Sequence, residues 1–195
     1  METMKVYRNG PVGLGRHTEY IRKLWAAYDE IKPSGRAGRL NSVYASPSLV
    51  GMVRWTHTNL MNPALSSRQD LSNHEITVLN PESLYVYHVN SYDKTSSAIH
   101  CYGELGDPTY ADYNAELLQP YWDTGIRLSE WQERSAKEGL NAMEWEVLIP
   151  AESIVSHRQI NDNEVIEAAS EDAREHLTEC FRQYNEFIAW IEQEK

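Results

Sequence analysis

The run Glu144-Trp145-Glu146-Val147-Leu148-Ile149-Pro150 sets the tightest limit on what this chain can fold into. Val147, Leu148 and Ile149 are strong strand formers, and Pro150 ends the strand because it has no N–H for the ladder. Side chains two residues apart on a strand share a face and stand about 7 Å apart. Glu144 and Glu146 are therefore predicted to look into one cleft, with Trp145 facing away. Carboxylates fixed in this way can divide labour, one steadying a developing cation and the other taking a proton. The same spacing describes an edge strand with two solvated glutamates, and by spacing alone that is the default.

Upstream, Lys5 to Arg8 reads as a short first strand closed by the turn Asn9-Gly10-Pro11. Arg8 then lies at a strand end, where it either projects into a cleft or sits on the surface. His17 to Lys32 is helical, with Tyr20, Ile21, Leu24, Trp25, Tyr28 and Ile31 on one face, and Pro33 stops it. The loop from Ser34 to Asn41 holds two glycines and two arginines, Arg36 and Arg39. Its amides and guanidiniums suit a diphosphate cradle. The spacing matches neither the P-loop nor the dinucleotide fingerprint, and a flexible surface loop is the commoner outcome. Ser42 to Ser46 is a strand, Pro47 opens a helix, and Ser46 either caps that helix or serves a site. Leu49, Val50, Val53 and Leu60 give the helix its apolar face.

Residues 62 to 73 are polar and turn-like, and residues 75–79 and 84–89 are strands separated by Asn80-Pro81-Glu82-Ser83. Residues 91 to 121 read as loops with short helical turns, broken at Gly103, Gly106, Pro108 and Pro120. Ile126 to Leu140 is predicted as a helix burying Trp131 and ending at Gly139 or Asn141, and another strand begins at Ser153. Asp162 to Lys195 reads as one long amphipathic helix, with Ile166, Ala169, Ala173, Leu177, Phe181, Tyr184, Ile188 and Ile191 in a stripe. Strands and helices in this order predict an α+β protein.

Composition narrows the function classes. A chain of 195 residues can bury one sizeable core. A net charge of −11, with 18 basic residues scattered among 29 acidic ones, weighs against a nucleic-acid partner, which needs a basic face. No apolar run reaches membrane-spanning length, and the start Met1-Glu2-Thr3-Met4-Lys5 lacks the apolar segment of a secretion signal. Cys101 and Cys180 form neither a metal motif nor a disulfide framework, which fits a reducing compartment, the cytoplasm of the producing or target cell. The seven histidines are dispersed with no ligand spacing, so no metal site is assigned. No nucleophilic hydrolase motif is present.

Three short motifs stand in order: Val6-Tyr7-Arg8-Asn9-Gly10, then Tyr44-Ala45-Ser46 with the Val50-Gly51-Met52-Val53-Arg54-Trp55 helix, then Glu144 to Pro150. This order resembles the arginine–serine–glutamate pattern of the mono-ADP-ribosyltransferases. The third motif, E-x-E followed by V-L-I-P, is the most specific match. The second departs from the pattern, with Tyr44 where the family's first serine stands. A tyrosine there resembles the diphtheria-type and poly-ADP-ribose-polymerase branch, whose first motif carries a histidine where this chain has Arg8. The segment Gly38-Arg39-Leu40-Asn41-Ser42 is similar to the G-R-W-N-S segment of RES-domain toxins, which degrade NAD on a related fold.

The resemblance implies an ADP-ribosyltransferase-like split, mixed or antiparallel sheet core with flanking helices over residues 1–160. A long C-terminal helix, residues 161–195, would pack on the same domain. It implies NAD as co-substrate and no metal. It makes Glu146 the carboxylate that steadies the ribosyl cation, and Glu144 the group that receives an arginine acceptor. Arg8, Tyr44, Ser46 and Arg39 would hold NAD, with Tyr44 on the nicotinamide and Ser46 or Ser42 orienting Glu146. The expected activity is mono-ADP-ribosyl transfer to a macromolecule, protein arginine first, as an effector, toxin or phage-type modifier. Alternatives are a RES-like NAD-degrading toxin, a transferase acting on nucleic acid, and a non-enzymatic interaction module.

Overall fold

The apolar runs resolve into strands that pair into two antiparallel sheets. The computed structural model describes residues 2–14, 19–60, 72–90, 115–138, 140, 144–169 and 171–193. Within them the elements are β1 (Thr3–Asn9), α1 (Glu19–Glu30), β2 (Ser42–Ala45), α2 (Leu49–Leu60), β3 (Asn73–Leu79) and β4 (Tyr85–His88). There follow α3 (Ala115–Asp123), β5 (Ile126–Arg127), α4 (Leu128–Glu138), β6 (Trp145–Pro150), β7 (Ile154–Ile160), α5 (Asp162–Ala168) and α6 (Glu171–Gln193). One sheet has the order β1-β3-β7 and the other β2-β6-β4-β5. They meet at one bridge, where Tyr7 N–H donates to Ser46 O at 2.9 Å and Ser46 N–H donates to Tyr7 O at 2.6 Å. The protein is α+β, as the sequence predicts.

β6 lies between β2 and β4 and is buried on both faces. Val147 and Ile149 join Val6, Val43, Ile76, Leu128 and Trp131 in one core between the sheets and α4. Leu148 faces the other way, into an aromatic core with Tyr28 of α1 and Tyr121 and Trp122 of α3. A strand covered on both sides needs consecutive apolar residues rather than alternation, which is why the run is unbroken. Pro150 ends β6 as predicted, opposite Ser42.

A third core joins α2, α5 and α6 through Met52, Val53, Val165, Leu177 and Phe181. Several expectations change here. Val50 is exposed, and Met52 rather than Val50 faces inward. Pro120 lies inside α3 and does not break it: its own side is exposed, and burial of Leu118, Tyr121 and Trp122 holds the helix around it. Ile126 and Arg127 are strand rather than helix, because they pair with Val86 and Tyr85. The C-terminal segment is two helices, not one. A capping box at Asn161 starts α5, with Asn161 Oδ1 accepting from Glu164 N–H at 3.0 Å and Glu164 Oε2 accepting from Asn161 N–H at 3.1 Å. Ala169 is then extended and buried, and both helices pack on α2.

The expected polar stretch up to residue 71, the tyrosine-rich stretch of residues 91–114 and the end of the helix at Gly139 or Asn141 lie outside the described residues. So do the side chains of Tyr20, Ile21, Trp55, Leu60, Ile188 and Ile191. No helix among the described residues is long and apolar enough to cross a membrane.

Replacing Asn161 by Ala removes the cap of α5 and is expected to cost about 1 kcal/mol. The check is a lower urea midpoint with an unchanged slope.

Candidate functional site

The end of β1, the end of β2 and the start of β6 converge where the two sheets touch. Among the described residues, the Tyr7–Ser46 bridge is the one backbone pairing between the two sheets. The space between them is a cavity of about 160 Å³ lined by Tyr7, Arg8, Asn9, Tyr44, Ala45, Ser46 and Glu146. Arg8, Tyr44, Ser46 and Glu146, from three separate motifs, therefore share one wall system.

Glu146 is 7% exposed. Its Oε1 accepts from the Arg39 guanidinium and from the Tyr121 hydroxyl, the latter at 2.8 Å. Oε2 makes no hydrogen bond among the described residues, so one oxygen is anchored and the other is left for the cavity. Burial raises the Tyr121 phenol well above its ordinary value, Arg39 pulls it down and Glu146 pushes it up. The hydroxyl thus keeps its proton and stays a donor to Glu146.

Arg39 does not face a diphosphate cradle. It is 2% exposed, and its guanidinium lies 4.7 Å from the Tyr121 ring centre, 4.8 Å from Tyr44, 5.6 Å from Trp25 and 5.8 Å from Tyr28. A buried cation needs a counter-charge and polarisable neighbours, and Glu146 and the ring faces supply them. The loop is held by Asp29 at the end of α1, whose carboxylate accepts from Arg39 N–H at 2.6 Å and from Leu40 N–H at 3.1 Å. A Cβ on Gly38 would stand 2.5 Å from Asp29 Oδ2, which is why a glycine lies there. Arg36 is also taken up by packing: it donates to Trp122 O at 3.0 Å and lies over the Tyr85 ring at 4.2 Å.

Arg8 donates from Nε to Pro11 O at 2.7 Å and from Nη1 to Tyr44 O at 2.5 Å. These bonds fix it between β1 and β2 on the cavity wall. Burial pushes its guanidinium below the usual arginine range, and Tyr44 and Glu146 push it back up. Tyr44 donates its hydroxyl to Arg39 O at 2.5 Å, and its ring meets Trp25 at 4.8 Å between centres.

Neither candidate serine orients Glu146. Ser42 Oγ donates to Gly38 O at 2.6 Å, and buried Ser46 Oγ accepts from Ser48 N–H at 3.5 Å. Nor does Ser46 cap α2. Ser48 does so, accepting from Gly51 N–H at 3.1 Å, because Pro47 and Ser48 precede the first helical turn. Arg39 and Tyr121 take over the orienting role.

Glu144 does not look into the cavity with Glu146. β6 begins only at Trp145, so strand alternation does not reach residue 144. Directly paired residues share a face. Glu146 pairs with Tyr87, whereas Trp145 pairs with His88, and Glu144 Oε2 lies 3.0 Å from His88 Nε2. Sequence reasoning missed Tyr121 and His88. Tyr121 sits in a stretch read as irregular, 25 residues from Glu146, and no local pattern marks that contact.

Comparison with protein-family models, with curated proteins and with solved structures gives no match to this chain.

Replacing Arg39 by Met leaves Glu146 buried without its counter-charge and is expected to cost about 3–5 kcal/mol. Adding Glu146→Gln should recover part of that loss, measured by urea unfolding of the single and double variants. Burial also pushes the Tyr87 phenol from 10.0 up to about 12, with nearby Arg36 opposing it. The folded state then holds this proton more tightly than the unfolded chain. Stability should stay level up to pH 10 and fall as pH rises towards about 12. Tyr87→Phe should make that fall shallower in a series of unfolding midpoints against pH, leaving the share set by the raised Tyr121 phenol.

Proposed function

We propose that the protein cleaves the nicotinamide–ribose bond of NAD and transfers ADP-ribose to a macromolecular acceptor, a protein arginine in the first instance. The observation that carries this reading is the cavity itself, where Arg8 and Glu146 meet with Tyr44 and Ser46. The motifs that resemble the ADP-ribosyltransferases lie up to 138 residues apart (146 − 8) and still reach one space.

The chemistry fits the residues. As the C–N bond breaks, its electron pair leaves on nicotinamide and positive charge builds on the ribose. A fixed carboxylate beside that carbon, in a site with little water, stabilises the charge. Glu146 Oε2 is the atom in position to do so, because Oε1 is held by Arg39 and Tyr121. Arg39 partly offsets the field of Glu146, but it also fixes the carboxylate in advance, so no reorganisation is needed during the reaction. At about 160 Å³ the cavity has the scale of one aromatic ring and its amide rather than of a dinucleotide. The remainder of NAD must then extend through the mouth, with Arg8 placed for charge-assisted contact. A net charge of −11 suits a cationic acceptor better than nucleic acid.

A second reading is favoured by Arg39 against Glu146, since that arginine lies in the segment similar to RES-domain toxins. There the acceptor is water or phosphate, and NAD is simply consumed.

Glu146→Gln is expected to lower nicotinamide release by about 10²–10³-fold or more. Arg8→Lys should chiefly weaken NAD binding. Incubation with biotin-labelled NAD and lysate separates the two readings. Labelled protein mapped to arginine supports transfer, and free ADP-ribose without labelled macromolecules supports consumption. Full nicotinamide release by the Glu146→Gln protein contradicts both.

A further inference from the structure

A groove of about 650 Å³ lies next to the cavity and has no part in the reading above. One wall is the start of α2, with Pro47, Ser48 and Val50, and the other is α4 and the residues just past it, with Trp131, Ala136 and Leu140. Ser46 lines the cavity, and Pro47 and Ser48 are the next two residues of the chain. Consecutive Cα atoms stand about 3.8 Å apart, so one short stretch of backbone borders both spaces.

Three features bear on what would lie in the groove. Among the described residues that line it none is charged, although the chain carries a net charge of −11. A nucleic acid or a highly charged segment therefore finds no counter-charge there. Val50, expected on the buried face of α2, is 49% exposed, and with Ala136 and Leu140 it leaves apolar surface uncovered. Trp131 is 2% exposed, and its Nε1–H has no acceptor among the described residues. A buried N–H without an acceptor is costly. The core behind the ring offers only apolar side chains, so the groove is the side from which an oxygen can come.

We propose that this groove holds the polypeptide flanking the modified residue of the acceptor protein: an extended, uncharged segment that sets an apolar side chain against Val50 and gives a main-chain carbonyl to the Trp131 indole. This rests on the ADP-ribosyl transfer reading and narrows its acceptor class. An extended peptide carries carbonyl acceptors along its length and apolar side chains on one face, the two things the groove lacks. The small side chains of Ser48 and Ala136 leave room for a main chain between the helices. The groove residues meet none of the reacting atoms. Their part is to choose among acceptors, and a small acceptor that reaches only the cavity is indifferent to them.

The test uses the full chain with NAD and two probes: agmatine, a small guanidinium acceptor, and a peptide library with one fixed arginine and random flanks. Sequencing the ADP-ribosylated peptides reads the preference at each flanking position. The wild type should enrich apolar residues at a fixed distance from the arginine by about tenfold, the low end for burying one apolar side chain. Val50→Glu suits the fold, because the site is exposed and a carboxylate in the first helical turn favours the dipole. It should leave transfer to agmatine unchanged and replace the apolar preference by lysine, and Val50→Lys should replace it by aspartate or glutamate. A merely structural role would not swap the preferred charge. A wild type that labels agmatine but shows no apolar preference overturns this proposal alone, as does the same preference in Val50→Glu, or an equal loss with both probes. A concentration-dependent dimer lost in Val50→Glu, with peptide choice unchanged, gives the groove to a second copy and also overturns it. Wild-type protein that releases no nicotinamide overturns this proposal and the transfer reading together.

Discussion

The pair between Arg39 and Glu146 is the interaction on which the rest of the structure depends. Taking a guanidinium and a carboxylate out of water costs several kcal/mol per ion unless each finds close partners. The chain supplies them from five places. Asp29 at the end of α1 clamps the loop that carries Arg39, while Trp25, Tyr28, Tyr44 and Tyr121 surround the guanidinium. Tyr121 also donates to the same carboxylate oxygen. The unusual richness in tyrosine and tryptophan, twelve and six against two phenylalanines, has a concrete use here: rings that pack as apolar bodies and still face a charge.

This arrangement links the fold to the cavity. β6 must be buried on both faces to hold Glu146 in place, and the aromatic core on one side is also what orients it. Among the described residues, the two sheets pair backbone to backbone only at Tyr7 and Ser46. Arg8 crosses at that point, bonded to the carbonyl of Pro11 in the turn after β1 and to that of Tyr44 in β2. A single joint therefore sets where the cavity opens and which side chains line it.

Much of this was legible in the sequence where the signal is local. The strand at residues 145–150, the strand carrying Arg8 and the burial of Trp131 follow from propensity, turn residues and periodicity. What the sequence did not show is pairing across distance. Arg39 sits in a loop whose glycines suggested an exposed cradle, and only Glu146, 107 residues on, explains its burial. Ser42 and Ser46 looked suited to orient Glu146, yet their hydroxyls are engaged by the local backbone. Strand alternation was carried one residue too far, to Glu144, because the start of a strand is set by its partner and not by its own sequence. The split of the C-terminal helix at Ala169 was hidden for a similar reason: the apolar stripe continues across the break, and tertiary packing decides where the chain turns.

The central claim is that Glu146 presents one oxygen to the ribose of NAD while its other oxygen is held by Arg39 and Tyr121. A crystal structure of the Glu146→Gln protein soaked with NAD tests it most directly. The expected result is the nicotinamide ring in the cavity beside Tyr44, with the nicotinamide-side ribose within hydrogen-bond distance of the residue 146 side chain and Arg8 near the phosphates. NAD bound elsewhere, or a ribose out of reach of residue 146, would contradict the account.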